Sequence, residues 1–402
     1  MSPPSVFPPE IYDRIIDEVS SSKEALSACS LVERSWIPRS RSHMFRDINF
    51  TTPESTETTR TKQRQLTPGG SRHTDAFQQH VASNADVASY ARRLVLTLTS
   101  SGNIASDIPQ ASELLNLHSL TLRCSNIIIY AVNDAVLTRL LSFIRHNQHL
   151  EYIALYSLVI DPSAFDVFIK CISIRAPRLQ SLHLHSVWGP DWTPTAGWSQ
   201  RGGRLSQSTH HHRVRSLTKL CVSHCESGAI STFLAAFDLQ SLERLALINL
   251  DWDTCMSLVV ASSSSTTLAH FTLDLSNLRR LPSDIFTYLA KVHTVQLVLK
   301  DFSDASNVLQ QLRRAAYQRA LILKRLHLQF RRYPIPSDPM IDSAVRELED
   351  DFRLRVSIGF EKTEGTSGTY GLATDKIGAA VLMGRTNIES MDAWWIHEAE
   401  RY

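Results

Sequence analysis

Short apolar hexads, with the spacing apolar-x-x-apolar-x-apolar, recur along most of the chain and limit the folds it can adopt. Because alternate residues of a strand point to the same side, the last two apolar positions of each hexad predict a strand with one apolar face. Leu94 and Leu96 form an incomplete first copy, and Val356 and Ile358 form a degenerate last copy. The complete copies are Leu117/Leu120/Leu122, Leu150/Ile153/Leu155, Leu179/Leu182/Leu184, Leu217/Leu220/Val222, Leu242/Leu245/Leu247, Leu268/Phe271/Leu273, Val292/Val295/Leu297 and Leu323/Leu326/Leu328.

Apolar residues at helical spacing fill the intervals between hexads, whose middle positions lie 24 to 38 residues apart. Asp161 and Pro162 predict a helix start, because aspartate caps a helix and proline suits its first turn. Strand–helix alternation at this period is typical of leucine-rich repeats, the longer intervals containing insertions. The sequence therefore predicts an α/β fold, a leucine-rich-repeat-like solenoid of parallel strands alternating with helices. The predicted helical segments are Val136–Ile144, Phe165–Ile172, Ile230–Phe237, Cys255–Val260, Ile285–Leu289 and Ile341–Phe352.

The repeats depart from the usual leucine-rich pattern at the turn after each strand. That pattern has an inward Asn or Cys three residues after the last leucine, and only Cys225 fits, while Leu158, Val187 and Leu250 stand at the same position elsewhere. Because of this departure, the sequence does not predict how regularly the solenoid curves. The alternation of strands and helices is still predicted. The alternative fold is a doubly wound open α/β sheet, which the short period and the lack of a glycine-rich turn between strand and helix disfavour.

Composition divides the chain into zones. Residues 1–50 carry three short helical patterns, and residues 87–360 carry the repeats. Between them, residues 51–86 begin with a stretch rich in Ser, Thr, Pro and charge, which cannot bury enough apolar surface to offset its ordering entropy. This zone is therefore predicted to be a flexible linker. Residues 361–402 are predicted to be a C-terminal tail that caps the last repeat.

A loop is predicted at 188–214, inside the longest interval between hexads, because Gly, Pro and Ser dominate it. It carries Trp188, Trp192 and Trp198. Exposed aromatic residues tend to mark contacts with partners, but these could equally cover the edge of the solenoid. The sequence leaves both interpretations open.

The N-terminal zone contains two segments with an ordered set of apolar residues, FPPEIYDRIIDEV at 7–19 and LSACSLVERSWIPRSRSHMF at 26–45. Together they resemble an F-box, especially the fungal type. Phe7–Ile11 matches the family's opening Leu-Pro-x-Glu-Leu, with Phe in place of the first Leu, and Arg34–Trp36 matches its Arg-x-Trp. The resemblance covers about a tenth of the chain.

This resemblance implies that the chain docks a Skp-type adaptor and, through it, a cullin, as the substrate-recruiting subunit of an SCF-type ubiquitin ligase. Three helices in fewer than 50 residues also make a very small core, so their surplus apolar surface favours a partner on physical grounds. The implied adaptor-binding residues are Phe7, Pro8, Pro9, Ile11, Ile15, Ile16, Leu31, Val32 and Trp36.

Catalytic motifs are absent from the sequence, so the chain is predicted not to be an enzyme and to need no cofactor. It contains no G-x-S-x-G, no P-loop, no H-E-x-x-H and no G-x-G-x-x-G after a strand. Cys221, His224 and Cys225 lie near a run of three histidines at 210–212, which suggests zinc. The repeat register directs Cys221 out of the core and Cys225 into it, so no metal site is predicted.

The overall composition is that of an ordinary globular, intracellular protein. A formal net charge of +2 does not favour a nucleic-acid binder, and six cysteines are too few for a disulfide scaffold. No apolar run approaches the roughly 18–20 residues that span a bilayer, and the first residues lack the features of a secretory signal.

The residues that alternate with the inward leucines predict a binding surface for a target protein. In a leucine-rich arc they line the concave strand face, and here four are Lys or Arg, four are histidines that could add positive charge, and only Asp274 is acidic. This balance favours an acidic or phosphorylated target segment, and two tyrosines add aromatic contact area. The alternative is that they are ordinary solvated strand residues. The predicted target-binding residues are Arg123, Tyr152, Tyr156, His183, His185, Lys219, Arg244, His270, Arg325 and His327.

Two other functions remain in competition with the ligase subunit. The first is a leucine-rich interaction scaffold whose N-terminal helices merely cap the solenoid. A cap should pack directly on the first repeat, whereas an F-box tethered by a linker need not, so the segment after residue 50 distinguishes them. The second is a hydrolase on a doubly wound sheet, which the missing motifs disfavour.

Overall fold

The computed structural model describes residues 8–51, 85–98, 114–124, 134–189, 215–263, 265, 267–275, 291–300, 302–317, 323–330, 343, 345–346 and 355–360. The chain divides into two compact units, Met1–Arg215 with Gly228–Phe237, and Ser216–Ser227 with Asp238–Tyr402. The predicted solenoid, 87–360, is thus shared between them. Phe7, most of the predicted linker, most of the 188–214 insertion, the predicted helix 285–289 and the tail 361–402 lie outside the described residues.

The first unit begins with three helices and continues as a parallel sheet. Its strands lie in the order β1-β2-β3-β4-β5. Its elements are α1 (Pro9–Glu18), α2 (Lys23–Val32), a 3-10 turn (Arg34–Trp36), α3 (Ile37–Met44), β1 (Asp47–Thr51), α4 (Ala85–Tyr90), β2 (Arg93–Leu98), β3 (Ser119–Cys124), α5 (Asp134–His146), β4 (Tyr152–Val159), α6 (Pro162–Arg175) and β5 (Ser181–Trp188).

The second unit is a parallel sheet in the order β7-β9-β10-β11-β12-β13. Short strands β6 (Arg215–Ser216) and β8 (Phe237–Asp238), and helix α7 (Ser227–Ala236), have residues in both units. The other elements are β7 (Lys219–Ser223), β9 (Arg244–Ile248), α8 (Trp252–Ser263), β10 (His270–Asp274), β11 (Thr294–Leu299), α9 (Phe302–Tyr317), β12 (Arg325–Phe330) and β13 (Arg355–Phe360).

The strand register confirms the hexads as a repeat. The middle hexad residues are paired in sequence, Leu94 with Leu120, Ile153 and Leu182 in the first unit. Leu220 begins the same ladder in the second unit, which ends at Val356. All the complete copies are buried at their last two positions. The fold is therefore α/β, with parallel strands alternating with helices at leucine-rich-repeat spacing.

The helices between strands contribute the rest of the core. Helix α6 buries Phe165, Phe168, Ile169 and Ile172, as its periodicity predicts. Asp161 caps it by accepting hydrogen bonds from the backbone N–H groups of Ser163 and Ala164, at 2.8 and 3.3 Å. The cap and Pro162 therefore fix the start of this helix directly after β4.

Residues with positive φ occur near the ends of four strands, inside β4 and β5 and directly after β7 and β9. Ser157, Ser186, His224 and Asn249 have φ of 50–55° and occupy the same register position, two residues after the last hexad leucine or valine. The residue that follows each of them is buried, which places Leu158, Val187, Cys225 and Leu250 inside the core. We call each of these positive-φ residues a left-handed corner. Each corner brings the next side chain into the core, at the position where the usual leucine-rich pattern has an inward Asn or Cys.

The junction between the helices and the sheet differs from the sequence prediction. Strand β1 spans the predicted boundary at residue 50 and pairs in parallel with β2, Asp47 opposite Arg93. Only Phe45 and Arg46 separate α3 from β1, and α3 contacts α4. The helices thus lead straight into the first strand, and residues 52–84 fall between β1 and α4.

We expect the stability of the left-handed corner at Ser157 to depend on whether the residue there has a Cβ atom and whether it is branched at Cβ. A β-branched residue disfavours positive φ, so Ser157→Val should lower the free energy of unfolding by roughly 1–2 kcal/mol, whereas Ser157→Gly should leave it equal or slightly higher. Denaturant unfolding measures both. Ser119→Gly, in the regular part of β3, is the matched control and should destabilise by about 0.5–1 kcal/mol. Equal effects of Gly at both positions would contradict a strained corner.

Candidate protein-interaction surfaces

The three N-terminal helices are held together by a small core and a charged contact. Ile16 and Leu26 are buried at the centre. Arg39 on α3 donates two hydrogen bonds to Asp17 on α1, at 2.8 and 2.6 Å, and His43 Nε2 lies 2.7 Å from the same carboxylate. The Arg39 guanidinium, and to a lesser extent His43, lower the pKa of Asp17 to about 2 despite partial burial. This contact fixes α3 against α1.

Large apolar side chains remain exposed on the same helices. Ile11 and Ile15, one turn apart on α1, are 42% and 44% exposed, and Leu31 and Val32 at the end of α2 are 84% and 67% exposed. Trp36 packs on Tyr12 of α1 at 5.1 Å between ring centroids, which joins the end of α2 to α1. We call Ile11, Ile15, Leu31 and Val32 the apolar helix surface. Exposed aliphatic residues grouped in this way mark contact sites.

The predicted adaptor residues are mostly accessible, with one correction. Pro8, Pro9 and the four residues of the apolar helix surface are exposed, and Trp36 is half-buried. Ile16 is fully buried, so the prediction that it contacts a partner is wrong, and it belongs to the core of the helices. Phe7 lies outside the described residues.

The sheet of the first unit carries a cluster of aromatic and basic side chains. The guanidinium carbon of Arg123 lies 4.9 Å from the ring centroid of Tyr156, and the rings of Tyr156 and His185 are 5.6 Å apart. One row away, Tyr152 and His183 meet edge to face at 5.1 Å, with Tyr152 Oη 3.3 Å from His183 Nδ1. Five of the predicted target-binding residues therefore come together on strands β3, β4 and β5.

Burial removes part of the predicted concave surface. Each strand has three positions on the predicted concave face, and the middle one is buried on successive strands. His183 occupies this middle position, which corrects the prediction that it binds a target. Cys221 is also buried, against Ala246 and Ile248, and does not face solvent as its register predicts. Neighbouring parallel strands only about 4.8 Å apart shield small side chains between them. The buried members of this middle row are Thr121, Ala154, His183, Cys221, Ala246 and Thr272.

The sheet of the second unit carries a row of mostly basic residues at the start of its strands. The strand register places Lys219, Arg244, His270, Thr294, Arg325 and Arg355 side by side. All six are half-buried or exposed. We call these six residues the basic row. Arg355 was missed from the sequence, although extending the hexad register to Val356 would have found it.

Burial and neighbouring cations lower the pKa of two members of this row. Burial and then repulsion from Arg244 lower the pKa of Lys219, while Glu243 opposes this. Burial also lowers the pKa of His270, followed by Arg244, His293 and Arg325. The pKa values of His185 and His327 are lowered by burial alone. These three histidines are therefore neutral at pH 7, which corrects the expectation that they add positive charge.

Cysteine and metal chemistry find no support in the described parts of the chain. Burial raises the pKa of Cys124 to about 11 and that of Cys255 to about 12, so neither is a reactive thiolate. Among the residues that the structure describes, no group of three or more His, Cys, Asp or Glu is placed to hold a metal ion. In those same ranges, no helix has both the length and the apolar character to cross a membrane.

Comparisons with known proteins assign neither a family nor a function to the chain. No protein-family model matches the chain, and no curated protein matches it. One solved structure with similarity is human 5T4, also called Wnt-activated inhibitory factor 1 or trophoblast glycoprotein, at 15% sequence identity. The alignment covers 63% of this chain and 70% of that chain with a TM-score of 0.28. A TM-score this low supports no functional argument, so the function must be argued from the surfaces themselves.

We expect the free energy of unfolding to fall as the pH is lowered from 7 to 5. The folded pKa values of His185 and His327 lie below the ordinary value of 6.5, so below about pH 6.5 the unfolded chain binds more protons and acid favours unfolding. His185→Gln with His327→Gln should flatten this pH dependence in urea unfolding. Gln240→Ala, at an exposed position without a titratable side chain, should leave it unchanged. An unaltered slope in the double variant would contradict the assignment.

Proposed function

We propose that the chain is a non-catalytic, substrate-recruiting F-box subunit of an SCF-type ubiquitin ligase. The apolar helix surface docks a Skp-type adaptor, and through it a cullin, while the strand faces hold a target protein. The ligase then acts by proximity, because a tethered target presents its lysines at a raised effective concentration. The chain itself supplies binding surfaces and no reactive group.

The observation that carries this proposal is the exposure of Ile11, Ile15, Leu31 and Val32. They are the positions at which the F-box resemblance implies adaptor contacts, and all four are accessible while Ile16 and Leu26 form the core. A helical cap normally presents a polar outer face, because its apolar side is turned to the repeat that it covers. Leaving Leu31 84% exposed is therefore better explained by a partner than by a capping role.

A leucine-rich interaction scaffold is the second candidate function, and one observation favours it. Helix α3 leads into β1 after two residues and contacts α4, so the helices are not tethered by a linker as an independent docking module would be. Under this alternative the strand faces still bind a protein, but no adaptor is recruited. The two functions therefore differ only at the apolar helix surface.

We expect Ile15→Asp to abolish capture of a Skp-type adaptor by the full chain. Docking would desolvate a carboxylate without a partner, which costs several kcal/mol and is enough to lower affinity by more than a hundredfold. The measurement is a pull-down with purified adaptor, followed by titration calorimetry. Circular dichroism should show the fold unchanged, because Ile15 is 44% exposed.

Val167→Asp is the matched control for this experiment. Val167 lies on α6 and is 48% exposed, so the same charge is introduced at an equally accessible aliphatic position outside the apolar helix surface. This variant should retain full adaptor capture. If wild-type chain fails to capture the adaptor, or if both variants capture it equally, the scaffold function replaces the ligase function.

A further inference from the structure

The basic row of the second unit carries a basic pair at each end, Lys219 with Arg244 and Arg325 with Arg355, and the neutral side chains of His270 and Thr294 lie between the two pairs. We propose that it binds an acidic polypeptide segment lying across the strands. This inference rests on the proposed function, since the segment would belong to the recruited target. It narrows the predicted concave site to the starts of strands β7 and β9–β13.

The backbone holds the row in place through one repeated arrangement of hydrogen bonds. The N–H of Arg244 donates to the carbonyl of Thr218 at 3.0 Å, and the N–H of Arg325 donates to that of His293 at 3.0 Å. The N–H of Arg355 donates to Lys324 O at 3.0 Å in the same way. Because each strand start is fixed to the one before it, the backbone that carries the row needs no ordering on binding, so that the cost of ordering is confined to the side chains.

Charge determines the chemistry of the occupant. Four residues of the row are basic: Lys219, Arg244, Arg325 and Arg355. Glu243 is the nearby acidic residue, and it raises the pKa values of Lys219 and His270. In both cases nearby cations still lower the pKa, so the local potential is positive. Such a surface attracts carboxylates, and the guanidinium groups of Arg244, Arg325 and Arg355 match them by paired hydrogen bonds.

The strands that carry the row favour a polypeptide over single-stranded nucleic acid. Beside the row, Gln296 is half-buried and bonds to two buried neighbours, with Gln296 Nε2 donating to Gln329 Oε1 at 3.1 Å and Thr272 Oγ1 donating to Gln296 Oε1 at 3.5 Å. No Phe, Tyr or Trp occurs in β7, β9, β10 or β11 on the face that carries the row. Proteins that bind single strands without sequence preference use such rings to stack bases.

The size of the row sets the length of the segment. Six parallel strands at about 4.8 Å spacing extend over roughly 24 Å. An extended chain rises about 3.3 Å per residue, so about seven residues span the row. Carboxylates at alternate residues are about 6.6 Å apart and the two basic pairs are separated by about 14 Å, so such a segment would make about three ion pairs with the row.

The test measures binding of a fluorescein-labelled peptide of about ten residues, alternating Glu and Gly, to the full chain by fluorescence anisotropy. We expect binding that weakens with added salt and is lost when Gln replaces Glu in the peptide. Arg325→Gln with Arg355→Gln should lower the affinity roughly three- to tenfold. Lys300→Gln with Arg314→Gln removes the same charge from exposed positions outside the row and should have less than about a twofold effect.

Three outcomes would overturn the basic row as a site for an acidic polypeptide. One is the absence of binding to the Glu–Gly peptide, and the second is an equal loss in the two double variants, which indicates attraction by overall charge alone. The third is tighter binding of oligothymidine of the same length, which would assign the row to nucleic acid.

Adaptor capture separates this inference from the proposed function. Arg325→Gln with Arg355→Gln should capture the adaptor normally, while Ile15→Asp should still bind the peptide. If the wild-type chain captures the adaptor but does not bind the peptide, only the role of the basic row as a peptide site is wrong. If the wild-type chain binds the peptide but does not capture the adaptor, only the ligase function is wrong.

Discussion

One repeated arrangement of hydrogen bonds fixes the strand starts within each unit. For most of the described strands, the carbonyl of the residue before the strand accepts the N–H groups of two consecutive residues at the start of the neighbouring strand. Arg46 O accepts from Arg92 and Arg93 at 2.9 and 3.0 Å, and Glu243 O accepts from Ala269 and His270 at 2.9 and 3.0 Å. This arrangement aligns these strand starts, so helices of different length between strands leave the ladder unchanged. The apolar hexads and the basic row both lie side by side because of it.

The hexads could be predicted from sequence because their burial follows directly from strand alternation. From Leu120 to Leu328 the apolar positions are those that strand pairing demands, and no longer-range information was needed. Strand β1 was missed although Phe45, Ile48 and Phe50 complete a hexad, because Phe45 was assigned to the segment that resembles an F-box. The left-handed corners were missed as well, because Ser157 and Ser186 carry no local signal for positive φ.

The candidate surfaces were predictable in composition but not in exposure. The F-box resemblance located Ile11, Ile15, Leu31 and Val32, yet it could not separate them from Ile16, because which side of a short helix is buried depends on how α3 packs through Arg39 and Asp17. On the sheets, register gave the correct neighbours, such as Tyr156 beside His185. It did not give the burial of Cys221 or Thr272, which depends on the strands on either side.

Because α3 leads directly into β1, the distance between the N-terminal helices and the first strands does not depend on the length of the chain segment that follows β1. Residues 52–84 lie in sequence between β1 and α4, and α4 is followed by β2, the strand that pairs in parallel with β1. Insertions or deletions among these residues therefore change a connection between two strands that are already paired, and the entropy of closing such a connection grows only slowly with its length. The length of this connection consequently does not set the distance between a partner bound to α1 and α2 and the first strands of the sheet.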